Sequence, residues 1–296
     1  MLPQKEWSDY RVLIVNDDGI HAEGIKVLEE FACKFFGEVF VVAPSSECSG
    51  MGRSISHRKT MNLHKIDNNH FAVDGTPTDC TIIALHHILK DRLPDIVLSG
   101  INHGDNTGNF VTYSGTFGGA FEAALEGFPA VALGQRRDKN GKPNLSALKE
   151  YLPKLFDYLR SVSWPEHIVM SVNFPDGDNF ENKSPVMTSL RHRSVVRGLI
   201  IEDSSEGHEK LRIDLFQSNI DEGLGQDADV LAQGYISVTP MQTNWTCFQT
   251  LLAGKEKNYK KGDNQLSANL PFMMSRFRGP NCHYIAKAGV KPYSGL

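Results

Sequence analysis

Apolar residues along this chain follow two alternating rhythms. Residues 11–15 read Arg-Val-Leu-Ile-Val, a largely β-branched run that predicts a strand buried on both faces. Residues 22–36 then place Ile25, Leu28, Phe31 and Phe35 at the spacing of one helix face. Short apolar runs at 38–43, 70–73, 95–99, 130–134 and 167–173 predict further strands. Segments 76–89, 114–126 and 145–162 predict helices. Pro77 suits the first turn of one, Gly127 and Pro129 stop the next, and Pro153 should disturb the last. Strand and helix in alternation imply an α/β core with a mainly parallel sheet over about residues 10–175.

After Pro175 the rhythm changes. Apolar stretches at 186–201, 211–216 and 235–239 predict strands with no long helix between them, a β-rich extension over 176–254 with the character of a hairpin. From Lys255 to Leu296 eight Lys or Arg face two acidic residues, against a net charge of -4 for the whole chain. That basic tail, rich in Gly, Pro and polar residues, predicts partial order or order gained against a partner subunit.

The negative net charge argues against a nucleic-acid polymer as ligand, which calls for a basic stripe. No apolar stretch reaches the length of a membrane span, and the first residues hold no apolar signal segment, so cytoplasm is the expected location. The cysteines Cys33, Cys48, Cys80, Cys247 and Cys282 are odd in number and lack a Cys-x-x-Cys pair. They predict reduced thiols, mostly packed as small apolar residues.

Three predicted strand ends deliver oxygen donors. The first runs into Asn16-Asp17-Asp18-Gly19, the second into the loop Ser45 to Gly50, and the strand 95–99 into Gly100-Ile101-Asn102-His103-Gly104-Asp105-Asn106. In a parallel sheet these ends share one edge, where ligands bind. Adjacent carboxylates repel unless a cation or proton intervenes. Carboxylate, hydroxyl and amide oxygens suit Mg²⁺ or Mn²⁺, although Asp-Gly by itself also reads as a turn. Next comes Tyr113-Ser114-Gly115-Thr116 at a predicted helix start. Ser114 there is either a cap or part of a phosphate site. His103 reads as an exposed loop histidine, Asp79 as a structural acid in a first helical turn, and Asn16 as a residue orienting the carboxylates. No Gly-x-Gly-x-x-Gly, P-loop or Gly-x-Ser-x-Gly pattern is present.

The ordered blocks resemble one family closely. Asn16-Asp17-Asp18-Gly19-Ile20-x-Ala22-x-Gly24, Ala43-Pro44 with Ser49-Gly50, Gly75-Thr76-Pro77-Thr78-Asp79-Cys80, Ser99-Gly100-Ile101-Asn102-x-Gly104-x-Asn106-x-Gly108 with Tyr113-Ser114-Gly115-Thr116, and Gln233 to Pro240 are similar to the blocks of the SurE family of 5'/3'-nucleotidases. The likeness runs over about residues 10–242. One departure is Ser45-Ser46-Glu47-Cys48, where the family carries an aspartate after Ala-Pro.

The resemblance implies a Rossmann-like three-layer core and a C-terminal hairpin exchanged between subunits of a homodimer or homotetramer. It implies a phosphatase domain over 1–254 that hydrolyses nucleoside 5'- and 3'-monophosphates with the aid of one divalent cation. By motif position Asp17, Asp18, Ser49 and Asn102 would hold the cation, with Asp17 and Asp18 also catalytic. Asn106, Ser114, Gly115 and Thr116 would surround the phosphate. Rival readings fit less well. A receiver-type signalling domain needs an aspartate where Ser99 and Gly100 stand, and a haloacid-dehalogenase-type enzyme needs Asp-x-Asp after the first strand. A phosphatase for other phosphates or short polyphosphate is the remaining alternative.

Overall fold

The computed structural model describes residues 2–176, 183–192, 196–205, 207–215, 225–247 and 250–251. The chain divides into two units, 1–243 and 244–296; the account below concerns the first. The basic tail 255–296, Cys282 and Phe216 lie outside the described residues.

In chain order the elements are β1 (Arg11–Val15), α1 (Glu23–Phe35), β2 (Glu38–Pro44), β3 (Leu63–Lys65), β4 (His70–Val73), α2 (Pro77–Ile83), β5 (Ile96–Asn102), α3 (Gly115–Leu125), β6 (Ala130–Gln135), α4 (Leu148–Ser161) and β7 (Ile168–Phe174). There follow β8 (Val186–Met187), β9 (Val196–Ser205), β10 (His208–Leu215), α5 (Asp227–Ala232) and β11 (Ser237–Gln242). Among the described residues nine strands form one sheet in the order β3-β4-β2-β1-β5-β6-β7-β11-β8. From β4 to β7 every neighbour is parallel. At the edges β3 and β11 run antiparallel to β4 and β7. The α/β core with its mainly parallel sheet and the separate hairpin are therefore as the sequence predicts.

Alternation on β1 explains the layers. Val12 and Ile14 point to one face, into a cluster with Ile25, Leu28 and Phe31 of α1 and Leu152, Leu155 and Phe156 of α4. Leu13 and Val15 point to the other, with Cys80 of α2 and Phe117, Ala120 and Phe121 of α3. Period-2 side chains thus feed two cores from one central strand. Trp7 closes the first cluster, with ring centroids 4.7 Å from Tyr10 and 5.7 Å from both Phe36 and Phe156, under the Arg160 guanidinium.

Several expectations are corrected. The helix over 76–89 keeps its bounds but not one pitch, since α2 proper ends at Ile83 and a wider turn runs on to Ile88. Thr76 caps it in a reciprocal box with Asp79, and the chain widens after Ile83 until the Leu89 N–H bonds the Ala84 carbonyl five residues back. α4 runs unbroken through Pro153, because Tyr151, Leu152, Leu155, Phe156 and Leu159 are buried and outweigh one lost hydrogen bond. The single strand expected over 186–201 is two, β8 and β9. Between them the Asp227 carboxylate captures the Arg191 N–H at 2.9 Å and the Gly108 N–H at 2.7 Å. That fully buried aspartate, absent from the expectation, also opens α5. Of the described cysteines only Cys80 is buried, whereas Cys33 and Cys247 are exposed and Cys48 is partly so.

Candidate active site

Because β1, β2 and β5 are parallel, their carboxyl ends meet on one edge. Register fixes the meeting: Val15 lies beside Ser99, so Asn16 to Asp18 leave the sheet where β5 continues to Asn102. Asn16 is fully buried and its side-chain NH₂ donates to the Gly19 carbonyl at 2.9 Å. It therefore shapes the Asp-Asp-Gly turn, where the sequence predicts a residue bonded to the carboxylates. Gly19 sits at φ +97°, against the carbonyl of Pro44 at the end of β2, a conformation that favours glycine.

Asp17 is 3 % exposed. Its Oδ1 accepts a hydrogen bond from Thr116 Oγ1 at 2.5 Å, which brings the start of α3 onto the acidic pair. A Cβ on Gly115 would stand 2.8 Å from the Asp17 Cβ, so the helix approaches this closely only because position 115 is glycine. The Ser114 hydroxyl accepts from the Phe117 N–H at 3.0 Å, the geometry of a helix cap. Asn106 is buried, its N–H bonded to Asn173 Oδ1 at 2.7 Å and its side-chain NH₂ without a partner.

Asp18 is less enclosed. Its Oδ2 accepts from the His103 N–H at 3.3 Å, and its Oδ1 lies 4.0 Å from the His103 Nδ1. Asn102, the last residue of β5, spends its NH₂ on the Gly104 carbonyl at 2.9 Å. Ser49 is exposed and donates to Glu47 at 3.0 Å. Its link to the acidic pair is through its neighbour, whose N–H (Cys48) bonds the Asp17 carbonyl at 2.7 Å. The structure thus joins Asp17, Gly115 and Thr116 directly, bonds Asp18 to the His103 N–H next to Asn102 in the chain, and leaves the Ser49 hydroxyl turned to Glu47.

His103 departs from the exposed loop histidine expected. Its ring Nε2 accepts from the Gly24 N–H at 3.2 Å. Position 24 is 79 residues away along the chain, and only the signature glycine hinted at a close approach there. Asp79 is structural as expected: its carboxylate takes the Thr76 N–H and, across the site loop, the Ser56 N–H and hydroxyl.

Electrostatics at this edge are unbalanced. Burial pushes the Asp17 carboxyl up to about 6; the Asp18 charge adds to the rise and the Thr116 bond opposes it. Burial also raises Asp18, against His103 and Arg137, which lower it. Among the described residues neither carboxylate forms an ion pair with Lys or Arg, and Asn16 Oδ1 is a buried acceptor without a partner. Surplus oxygen of this kind fits a hard divalent cation. Beside it the α3 N-terminus and the unpaired Asn106 NH₂ offer surplus donors, which fit an anion. No group of three His, Cys, Asp or Glu side chains clusters among the described residues, so a cation here would draw on hydroxyl and amide oxygens as well.

Fold and edge together define a class: an α/β protein whose parallel sheet presents an acidic pair against the N-terminus of a glycine-opened helix. The chain belongs to the SurE family; the family model described as survival protein SurE matches residues 12–197. It is 37 % identical over 243 residues to the 5'-nucleotidase SurE of Methylocella silvestris, covering 81 % of this chain and 96 % of that one. It is 36 % identical over 251 residues to the 5'-nucleotidase SurE of Parvibaculum lavamentivorans, covering 82 % and 89 %. Its fold matches the crystal structure of the SurE protein from Aquifex aeolicus with a TM-score of 0.72 at 31 % identity, over 84 % of this chain and 99 % of that one.

Proposed function

We propose that this chain is a phosphomonoesterase that hydrolyses nucleoside 5'-monophosphates, and 3'-monophosphates as well, to nucleoside and phosphate. Asp17, Asp18, Ser49 and Asn102 would hold one divalent cation, Mg²⁺ or Mn²⁺, and Asn106, Ser114, Gly115 and Thr116 the phosphate. The observation that carries the reading is the Thr116–Asp17 hydrogen bond, because it puts an anion-favouring helix start in contact with a cation-favouring carboxylate. The names of the relatives support the substrate class.

When bound, the cation supplies charge that offsets the phosphoryl oxygens in the transition state. The chain's own residues do the rest. N–H groups at the start of α3 face the phosphate, and the Ser114 hydroxyl, accepting from Phe117, keeps its own proton to donate. Asp17 is buried and locked by Thr116, whereas the Asp18 carboxylate is the less buried, the better placed of the two to orient or deprotonate a water. Buried Asn106 contributes a donor already stripped of water, which strengthens its bond to an anion.

Assembly belongs to the same reading. β9 and β10 pair Ile201 with Leu211, Leu199 with Ile213 and Val196 with Leu215. All six side chains are exposed. Such a ribbon of apolar pairs supports packing on a second copy, as a homodimer or homotetramer exchanging this hairpin. The domain would span 1–254 with 255–296 as a tail, in the cytoplasm. Among the described residues no helix is long and apolar enough to cross a membrane.

The test is phosphate release from nucleoside monophosphates. EDTA should abolish it, Mg²⁺ or Mn²⁺ should restore it, and Asp17→Asn should lower turnover by about 10²-fold or more with the fold intact. Full activity in EDTA with no metal in the protein overturns the cation; undiminished turnover in Asp17→Asn overturns the site.

A further inference from the structure

We propose that His103 is a positioning residue that ties the N-terminus of α1 to the Asp18 carboxylate and so sets the affinity of the site for its divalent cation. The inference rests on the cation site proposed above.

α1 begins without a cap of its own. Its N-cap residue is Ala22, in the extended conformation suited to capping (φ −62°, ψ 152°) but lacking a side-chain oxygen. The first N–H groups of a helix need acceptors from elsewhere. Gly24 finds one in the Nε2 of His103, at 3.2 Å, on the loop that follows β5. Such an approach needs glycine, because a Cβ at position 24 would overlap the Ile101 carbonyl and stand 3.4 Å from the His103 ring carbon Cδ2.

That bond fixes the ring. An Nε2 that accepts leaves the proton of the neutral imidazole on Nδ1. Nδ1 lies 4.0 Å from Asp18 Oδ1, while the His103 backbone N–H donates to the other oxygen, Oδ2, at 3.3 Å. One residue thus bonds one oxygen of the carboxylate through its backbone N–H and brings its ring Nδ1 near the other. The His103 carbonyl is held as well, by Arg137 Nε at 2.5 Å. Nε2, the backbone N–H and the carbonyl of His103 are each hydrogen-bonded, so the ring and its loop are held, and the orientation of Asp18 is linked to the helix start. Groups that orient a metal-binding side chain in this way are commonly worth 10–100-fold in metal affinity.

A residue that only caps α1 would also stabilise the fold, so the experiment separates the two roles. Mn²⁺ binding to the full chain is measured by titration calorimetry, and melting is measured in EDTA. The variants are His103→Ala, the double variant Ala22→Ser with His103→Ala, and His103→Gln. Serine at position 22 supplies the missing cap from within α1, and glutamine keeps an acceptor for Gly24 without the Nδ1–H. The double variant and His103→Gln should melt like the parent yet bind Mn²⁺ at least about tenfold more weakly. If either of these well-folded variants binds Mn²⁺ as tightly as the parent, His103 is a cap and the proposal is overturned. If the parent itself binds no Mn²⁺, the cation site fails first, and this inference with it.

Discussion

The central sheet and the β9–β10 hairpin are built from similar apolar residues and end in opposite situations. In β1 all five residues are buried, and alternate side chains serve two separate cores. In the hairpin Leu199, Ile201, Leu211 and Ile213 are between 52 % and 63 % exposed, although they pair across strands in good register. Both are held by hydrogen-bonded strand pairing. What differs is whether a helix covers the face. β1 has α1 and α4 on one side and α2 and α3 on the other, whereas among the described residues the hairpin has only its own two strands. Pairing alone does not bury surface, and a two-stranded ribbon is marginal on its own. The sheet buries its apolar residues within one chain, while among the described residues nothing covers the hairpin's apolar pairs.

Mutation sharpens this contrast. Phe156→Ala, in the first core, should cost about 3–5 kcal/mol of unfolding free energy in urea titrations, because it removes a fully buried ring and leaves a cavity. Leu199→Ser with Ile213→Ser, in the hairpin, should leave the unfolding of the separated subunit within about 0.5 kcal/mol of the parent. The same pair should lower the mass seen in light scattering if the hairpin joins subunits. A large loss of subunit stability without loss of mass would reverse the comparison.

Acid and base probe the buried edge in a way that the exposed ribbon cannot match. Asp17 has its folded pKa raised from 3.8 to about 6. The folded state therefore holds the proton more tightly than the unfolded chain. Its contribution to stability is fully present below about pH 4 and is lost as pH rises through about 6, a change of about 3 kcal/mol in metal-free protein. Asp18 shifts in the same direction. In EDTA, the stability of the parent relative to Asp17→Asn should fall across that window. A flat difference between pH 4 and pH 7.5 would show that Asp17 is not strained by burial. The smallest effect is at the helix start. Ser114→Ala should cost about 1 kcal/mol as a lost cap, and, if the hydroxyl also meets phosphate, raise KM; melting and kinetics on one variant read both.

Much of this was legible in the sequence, and for physical reasons. Runs such as Val12 to Val15 are long enough and apolar enough to admit one reading, and parallel strands bring their ends to a common edge without further information. Short elements were not legible. β3 spans three residues and β8 two, too few for any period to show. The break between β8 and β9 depends on Asp227, whose partners Gly108 and Arg191 are 119 and 36 residues distant. Pro153 looked like a helix breaker because the sequence does not reveal how much of α4 is buried. His103 was misread for the same reason: its acceptor role is created by a neighbour that only folding supplies. Ser49 and Asn102 lie at the predicted edge, but which of their oxygens face it is a matter of side-chain torsion, and the sequence is silent about torsion.

The aromatic cluster around Trp7 has an optical consequence. The chain holds three tryptophans. Trp7 and Trp164 are 8 % and 3 % exposed, their indole N–H groups bonded to Asp157 and to the Ile168 carbonyl. Trp245, in the second unit, is 67 % exposed. The two buried indoles sit in dry surroundings and emit toward the blue. When the first core melts, that blue emission moves to the red. The chain thus carries its own lamp for the α1–α4 layer, and the unfolding of Phe156→Ala can be watched by emission wavelength with no added dye.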